Sequence, residues 1–349
     1  GGEIVRELVN ASDGQGLHFN GSGYVSAGDT TVIDGATKLS VEVIAATTAA
    51  DDGEMVAKAH AATALRFYVN TSGQVVFRVN NGSSNGTATS SGTVNDGNPT
   101  HIVGVWDGST VKIYINGNED GSAALSGGAV PDIADKLALG TQLSSSDSTA
   151  NSFTGTLFRA RLFNYAVDAK SLFERADVPV ADQYGSQTKL IDSDFNGSFD
   201  GWNTSNDWAT QTNNSNAMQL VANAANQICR TGTQLTKGKR YRVTYTASAV
   251  TGSPGFSTAA ATHVVAGVIS AGTANSFEFT FPTSATSQYF YIKSNASGDA
   301  VTLDDISVVQ IGVVSDYDLA FANPTQSLMV QDRSGAADGT ASASGVTQV

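Results

Sequence analysis

The chain has 349 residues, a formal net charge of −13 and only 15% charged residues. Its 19 Lys and Arg form no basic run against 32 Asp and Glu, which argues against a nucleic-acid partner, because phosphate binding needs clustered cations. No stretch of about 18 apolar residues occurs, so no membrane insertion is expected. The single cysteine, Cys229, excludes an intrachain disulfide and a Cys-based zinc site. Beside Ile228 it reads as a small buried apolar residue. The sequence opens on Gly1-Gly2 without Met, which suggests a fragment or a processed N-terminus. At about 100–200 residues per domain, two domains plus an extra segment are expected.

In chain order, residues 1–11 read as an arm. Leu65, Phe67 and Val69 share one strand face, and Val75, Phe77 and Val79 share the next. Asn70-Thr71-Ser72-Gly73 turns between them. Val111, Ile113 and Ile115 alternate with Lys112 and Tyr114, and Asn116-Gly117 closes a tight turn. Leu157 to Phe163 is another strand. One short helix is predicted over about Asp168–Arg175, capped by Asp168 and docked by Leu172 and Phe173. Residues 178–187 lack periodicity and read as a linker. Beyond it, Tyr241, Val243, Tyr245 and Ala247 line one face of a strand, and Phe277, Phe279 and Phe281 line another. Residues 289–292 and 301–311 complete the set. Short strands at this spacing predict an all-β chain of two tandem antiparallel sandwiches or jelly rolls, with a short C-terminal β segment.

The run from Pro99 through His101, Trp106, Asp107-Gly108 and Tyr114 to Asn116-Gly117 resembles the laminin-G/concanavalin-A-like pattern. It departs from that pattern in having Pro99-Thr100 for the usual Trp and Asn116 for Asp. Leu17 to Val25 resembles the opening strand of that family. Leu137 to Gly140, Phe153 to Val167 and Ser171-Leu172-Phe173 resemble its close. The first domain is therefore placed at 12–177. Asp192 to Asn196 with Gly201-Trp202, Leu235 to Val243, and Leu303 to Val308 resemble the jelly-roll carbohydrate-binding modules found beside xylanases and glucanases. That places the second domain at 188–312.

No catalytic constellation stands out. Gly82-Ser83-Ser84-Asn85-Gly86 spells a nucleophile elbow, but it sits in a polar loop between strands rather than in a strand–turn–helix context. His18, His60, His101 and His263 are scattered, and His101 is read as a packing residue. A glycosidase needs two carboxylates flanking the sugar bond. Asp51-Asp52, Glu119-Asp120 and Asp304-Asp305 are sequence neighbours, which on a strand point to opposite faces. A non-enzymatic protein is expected. In the resembled modules a structural calcium clips the opening segment to the last strand. That resemblance implies Asp194, Asn196 and Asp304 as ligands, with Asn214 and Asn216 supplying the rest. Sugar rings pack on aromatic faces, and Trp208, Tyr245, Tyr289 and Tyr291 are the candidates, with Trp208 first. Trp202 is read as core.

The domain series in a Gly/Ser/Asn-rich chain resembles bacteriophage tail fibres and receptor-binding proteins. It implies a virion appendage recognising a host cell-surface glycan, with other virion proteins and copies of itself, in a homotrimer, as partners. The alternatives are a secreted or cell-surface bacterial adhesin or the accessory region of a polysaccharide-degrading enzyme, and a purely structural virion component. Residues 313–349 resemble the broken-off start of another laminin-G-like unit. They are expected to form a hairpin that pairs with copies of itself around a symmetry axis.

Overall fold

The alternating pattern folds into antiparallel sheets in the computed structural model, which describes residues 16–174, 189–203, 208–213, 215–258, 264–319, 329–330, 339–342 and 346–348. The chain divides into two units, Gly1–Gln187 with Gly312–Val349, and Thr188–Ile311. The expected arm and linker, 1–11 and 178–187, lie outside the described residues.

In the first unit, one sheet runs Asn118–Ala124, Thr110–Ile115, Thr100–Trp106, Leu39–Ala46, Thr154–Phe163, Leu17–Asn20, Val346–Gln348. The other runs Met329–Val330, Gly339–Ala341, Val25–Ser26, Leu137–Leu139, Gly53–Ala59, Thr63–Val69, Gln74–Asn80, Asn85–Thr93. The core between them holds Phe19, Val43, Leu65, Phe67, Phe77, Ile113 and Leu157, all fully buried. The predicted hairpin pairs Leu65 with Val79, Phe67 with Phe77 and Val69 with Val75. Its turn is fixed by Asn70 Oδ1, which accepts from the amides of Ser72 and Gln74 at 2.9 and 3.0 Å. Asn116 and Gly117 both adopt positive φ, 49° and 78°, as a two-residue type I′ turn requires. The Trp106 indole donates to the Leu125 carbonyl at 2.9 Å.

The helix spans Ala169–Glu174. Asp168 caps it, accepting from the amides of Lys170 and Ser171, and Leu172 packs with Val103 and Val105. Phe173 lies 5.4 Å from the His101 ring. His101 is fully buried, with Nε2 2.9 Å from Glu42 Oε1. Arg161 grips the same carboxylate through Nε and Nη2. Burial alone would raise the Glu42 carboxyl, but Arg161 and His101 together hold it well below the usual carboxylate range. The buried Lys58 ammonium meets Asp34 at 3.0 Å, Asp29 at 3.3 Å and the Thr30 carbonyl at 2.7 Å.

The C-terminal segment corrects the sequence expectation. Leu17–Asn20 pairs only with residues 154–157 of the long strand Thr154–Phe163. The rest of that flank would be an open edge, a row of unpaired amides and carbonyls. Val313–Asp318 fills it, pairing Phe163 with Val313 and Arg159 with Asp318. Asn164 pins the returning chain, its amide donating to Gly312 O at 3.3 Å and its Oδ1 accepting from Gly312 N at 2.9 Å. Gly339–Ala341 then pairs with Val25–Ser26, and Val346–Gln348 with Leu17–Asn20. Val314, Tyr317, Leu319, Ala341 and Val346 join the first core. The described strands of the segment therefore pair within their own chain rather than standing free as a hairpin. The sequence reading missed this because the partner edge lies some 150 residues upstream and leaves no local signal.

In the second unit, one sheet runs Thr210–Asn213, Met218–Val221, Ala300–Ile311, Arg240–Thr251, Gly272–Thr280, with Lys189–Ser193 also on Ala300–Ile311. The facing sheet runs Trp202–Asn203, Ile228–Gln234, Tyr289–Lys293, Gly255–Ser257, Val264–Val268. The core is aromatic. Phe290 stacks on Phe256 and on Phe279, with ring centroids 5.2 and 5.6 Å apart. Cys229 is buried within it, and burial pushes its thiol up to about 12.

Removing residues 313–349 should destabilise the first unit, because five buried apolar side chains leave its core and a strand edge opens. Differential scanning calorimetry should show one of two transitions lost or lowered by more than about 10 °C. That corresponds to a few kcal/mol at about 2–4 °C per kcal/mol for a unit of this size. Two unchanged transitions would show that the segment is dispensable to the fold.

Candidate functional site

The strand Tyr289–Lys293 alternates Phe290 and Ile292 into the core with Tyr289, Tyr291 and Lys293 on the opposite face. Its neighbours extend that face in register. Tyr291 lies opposite Arg230 on one side and Ser257 on the other, and Lys293 opposite Ile228 and Gly255. Arg230 is in turn opposite Asn203. The outer face of the five-stranded sheet thus gathers two phenols, a guanidinium, an ammonium and a hydroxyl.

The Arg230 guanidinium lies over the Tyr289 ring, 4.1 Å from its centroid, a cation–π contact that holds the ring on one side. Tyr291 is 4% exposed yet lies outside the core cluster, and its hydroxyl is 3.0 Å from Ser287 Oγ. Lys293 is likewise buried on this face, at 4% exposure. Tyr289 is half-buried, and a half-buried aromatic ring beside hydrogen-bonding groups can pack a sugar's C–H face and bond its hydroxyls.

The four aromatic candidates therefore divide. Tyr289 and Tyr291 come together on this face. Trp208 and Tyr245 do not join them. Trp208 is 6% exposed and belongs to the core, its indole N–H without an acceptor. Tyr245 is a core residue edge-on to Phe256 and Phe277, and its hydroxyl accepts from the Ser270 amide at 3.4 Å. The polar run around Trp208 suggested exposure, but a lone indole in a polar loop is also what a sandwich uses to close its core. Arg230 was missed. Its signal was the cross-strand position of Tyr291, which depends on register and not on any motif.

The candidate calcium ligands fall around the opening turn of the second unit. Lys189–Ser193 pairs with Ala300–Ile311, Ser193 opposite Ile306, which carries Asp194 to the Asp304-Asp305 pair. Asp304 is raised by burial first, and by the nearby charges of Asp305 and Asp194. Asp305 adopts φ +50° beside a bulge. Asn196 is exposed, its amide donating to Asp194 Oδ1 at 3.1 Å. Asn216, at φ +62°, is exposed on the next turn. Asn214 lies outside the described residues. The carbonyls of Phe195 and Ser198 converge on the Asn213 side-chain amide, at 2.6 and 2.5 Å. Among the described residues no three acidic, His or Cys side chains surround one point.

Ser83 of the elbow-like motif lies in a turn between the strands Gln74–Asn80 and Asn85–Thr93. Its amide and that of Ser84 donate to Asn81 Oδ1. No helix follows it, so the strand–turn–helix that would present a nucleophile is not formed there.

Residues 19–172 match the Laminin_G_3 family model, described as the Concanavalin A-like lectin/glucanases superfamily. No curated protein matches the sequence. Among solved structures, domains LG4-5 of the mouse laminin alpha1 chain are similar at 22% identity and a TM-score of 0.34, over 42% of this chain and 40% of that one. A candidate carbohydrate binding protein from Bacteroides ovatus ATCC 8483 is similar at 9% identity and a TM-score of 0.47, over 96% of this chain and 59% of that one. The CBM40 of the Ruminococcus gnavus IT-sialidase, bound to alpha2,3 sialyllactose, is similar at 16% identity and a TM-score of 0.37, over 46% of this chain and 96% of that one.

Proposed function

We propose that the chain is a non-catalytic glycan-binding protein, and that it serves as a bacteriophage tail fibre or receptor-binding appendage recognising host surface glycans. The observation that carries glycan binding is the outer face of the five-stranded sheet, where Arg230, Tyr289 and Tyr291 sit together away from the core. The match of residues 19–172 to a lectin/glucanase superfamily model is consistent with it. The phage setting rests on the domain series and on a Gly/Ser/Asn-rich, weakly charged composition. A bacterial adhesin or an accessory region of a polysaccharide-degrading enzyme would use the same face. A homotrimer suits a fibre, and the described strands of residues 313–349 pair inside the chain. Light scattering on the intact chain reads the oligomeric state directly.

A calcium ion is part of the proposal. At the opening turn the Asp304 carboxyl is raised by burial and by the charges of Asp305 and Asp194, which gathers oxygen donors at one place. That donor set fits a hard cation with oxygen ligands. Asp194 and Asp304 would hold it, with the side-chain oxygens of Asn196 and Asn216. The ion would neutralise the paired charges and clip the opening strand to the last one.

With a fluorescent intact chain on an array of oligosaccharides, Tyr289→Ala and Arg230→Ala should each weaken binding by about 1–3 kcal/mol, the range of a central contact. Trp208→Phe, a core substitution, should leave affinity unchanged. Binding that ignores both face residues would place the platform elsewhere.

Calcium at a hundredfold excess over its Kd should stabilise the second unit by about 2.7 kcal/mol, and a chelator should reverse this. Asp304→Asn should abolish the response. A second-unit transition indifferent to calcium and chelator would remove the ion from the account.

A further inference from the structure

The sequence contains five Asn-Gly pairs, at Asn20, Asn81, Asn85, Asn116 and Asn196. In each, the glycine amide nitrogen can attack the asparagine side-chain carbonyl carbon, because glycine has no Cβ to block the approach and its backbone turns freely. The pairs at Asn20, Asn81 and Asn196 continue into the same tripeptide, Asn-Gly-Ser. Local sequence cannot rank those three, so the fold must.

Four of the pairs are held. Asn20 Oδ1 accepts from the Ser22 amide and hydroxyl at 3.1 and 2.8 Å, and the Gly21 amide donates to the Phe153 carbonyl at 3.1 Å. Asn81 is buried. Its side-chain amide donates to the carbonyls of Ser126 and Gly127, its Oδ1 accepts from the amides of Ser83 and Ser84, and the Gly82 amide donates to Asn80 Oδ1 at 2.7 Å. Asn85 Oδ1 accepts from the Asn80 side-chain amide at 3.2 Å, and Gly86 lies in a ladder opposite Val79. Asn116 Oδ1 accepts from the His101 amide at 3.2 Å. These bonds must break before the side chain can turn onto the glycine nitrogen, which raises the barrier to attack.

Asn196-Gly197 is not held in this way. The pair lies between the strands Lys189–Ser193 and Trp202–Asn203, and both residues are exposed. The Asn196 backbone amide donates to Asp194 Oδ1 at 3.1 Å. Among the described residues, neither the Asn196 side chain nor the Gly197 amide makes a hydrogen bond. Beyond its chain neighbours, no atom lies within 4 Å of the position a Cβ on Gly197 would take, so nothing crowds a ring closing there.

We propose that Asn196 is a self-modifying site, which converts without an enzyme to aspartate and isoaspartate. The Gly197 nitrogen loses its proton to hydroxide and bonds to Asn196 Cγ. The Cγ–Nδ2 bond breaks and that nitrogen leaves as ammonia, giving a five-membered succinimide. Water adds to one of the two ring carbonyls and breaks its bond to the ring nitrogen. Opening at the main-chain side restores a side-chain carbonyl link and gives isoaspartate; opening at the side-chain side gives aspartate. The net change consumes water and releases ammonia, and it places a new carboxylate beside Asp194. On the calcium reading above, and resting on it, the aspartate product offers the ion a charged oxygen in place of a neutral one, which should tighten binding.

The test incubates the intact chain in mildly alkaline buffer with a chelator, so that a calcium ion at this turn cannot influence the result. Peptide mass spectrometry follows the mass gain of amide replaced by acid at each of the five asparagines. Asn196 should convert at least tenfold faster than Asn20 and Asn81 in the folded chain, and the three rates should converge in denaturant. Equal rates in the folded chain, faster conversion at Asn20 or Asn81, or a ranking that survives denaturant would each overturn the proposal. Calorimetric titration of Asn196→Asp should show calcium bound several-fold more tightly than by the parent chain. Calcium bound no more tightly would overturn that consequence, whereas calcium bound by neither chain would overturn the metal reading and leave the modification to the mass measurement.

Discussion

The flank of the strand Thr154–Phe163 is the constraint on which the rest of this structure depends. Its first half is covered by Leu17–Asn20, and its second half can be covered only by another strand. An edge strand in a sandwich of this size is an aggregation hazard unless it is paired. The chain solves this late. It leaves the first unit after the helix Ala169–Glu174, builds the whole second unit, and returns at Gly312 to finish the sheet it left open. The second unit is thus an insertion held by the chain at both ends. Long-range pairings of this kind carry a high loop-closure cost and slow folding, so the first unit should complete its sheet only after synthesis of the C-terminal strands.

Buried charge in the first unit divides into two kinds. The Glu42 carboxylate is gripped by Arg161 and His101, and the Lys58 ammonium by Asp34, Asp29 and a carbonyl. Each is surrounded by complementary groups, and breaking either by removing one partner would leave an uncompensated buried charge. Glu54, which accepts from Arg66 and Gln142 on one oxygen, differs because its other oxygen is buried without a partner.

Much of the fold was legible. Period-two alternation marked Leu65–Val69 and Val75–Val79, Asn70 to Gly73 marked the turn between them, and Asn116-Gly117 the turn after Thr110–Ile115, because these signals are local. The helix was visible for the same reason, through Asp168 and the pair Leu172 and Phe173. The site was legible only in part. Tyr289 and Tyr291 alternate with core residues, and the sequence shows that alternation, but Arg230 reaches them through cross-strand register. Trp208 misled because polarity of the surrounding residues says nothing about which way one indole turns. The fate of Val313–Asp318 was not legible, since its apolar positions demanded a partner but did not name one.

A protein built this way carries its candidate face on strands, where register fixes the spacing of side chains. Closure of the first sheet by the returning chain is the step that makes such a scaffold rigid. Hydrogen–deuterium exchange on the intact chain tests it most directly. The backbone amides of residues 313–318 should be protected for as long as those of Thr154–Phe163, since each ladder opens only when the other does. Exchange of 313–318 within seconds, while 154–163 stays protected, would contradict the account.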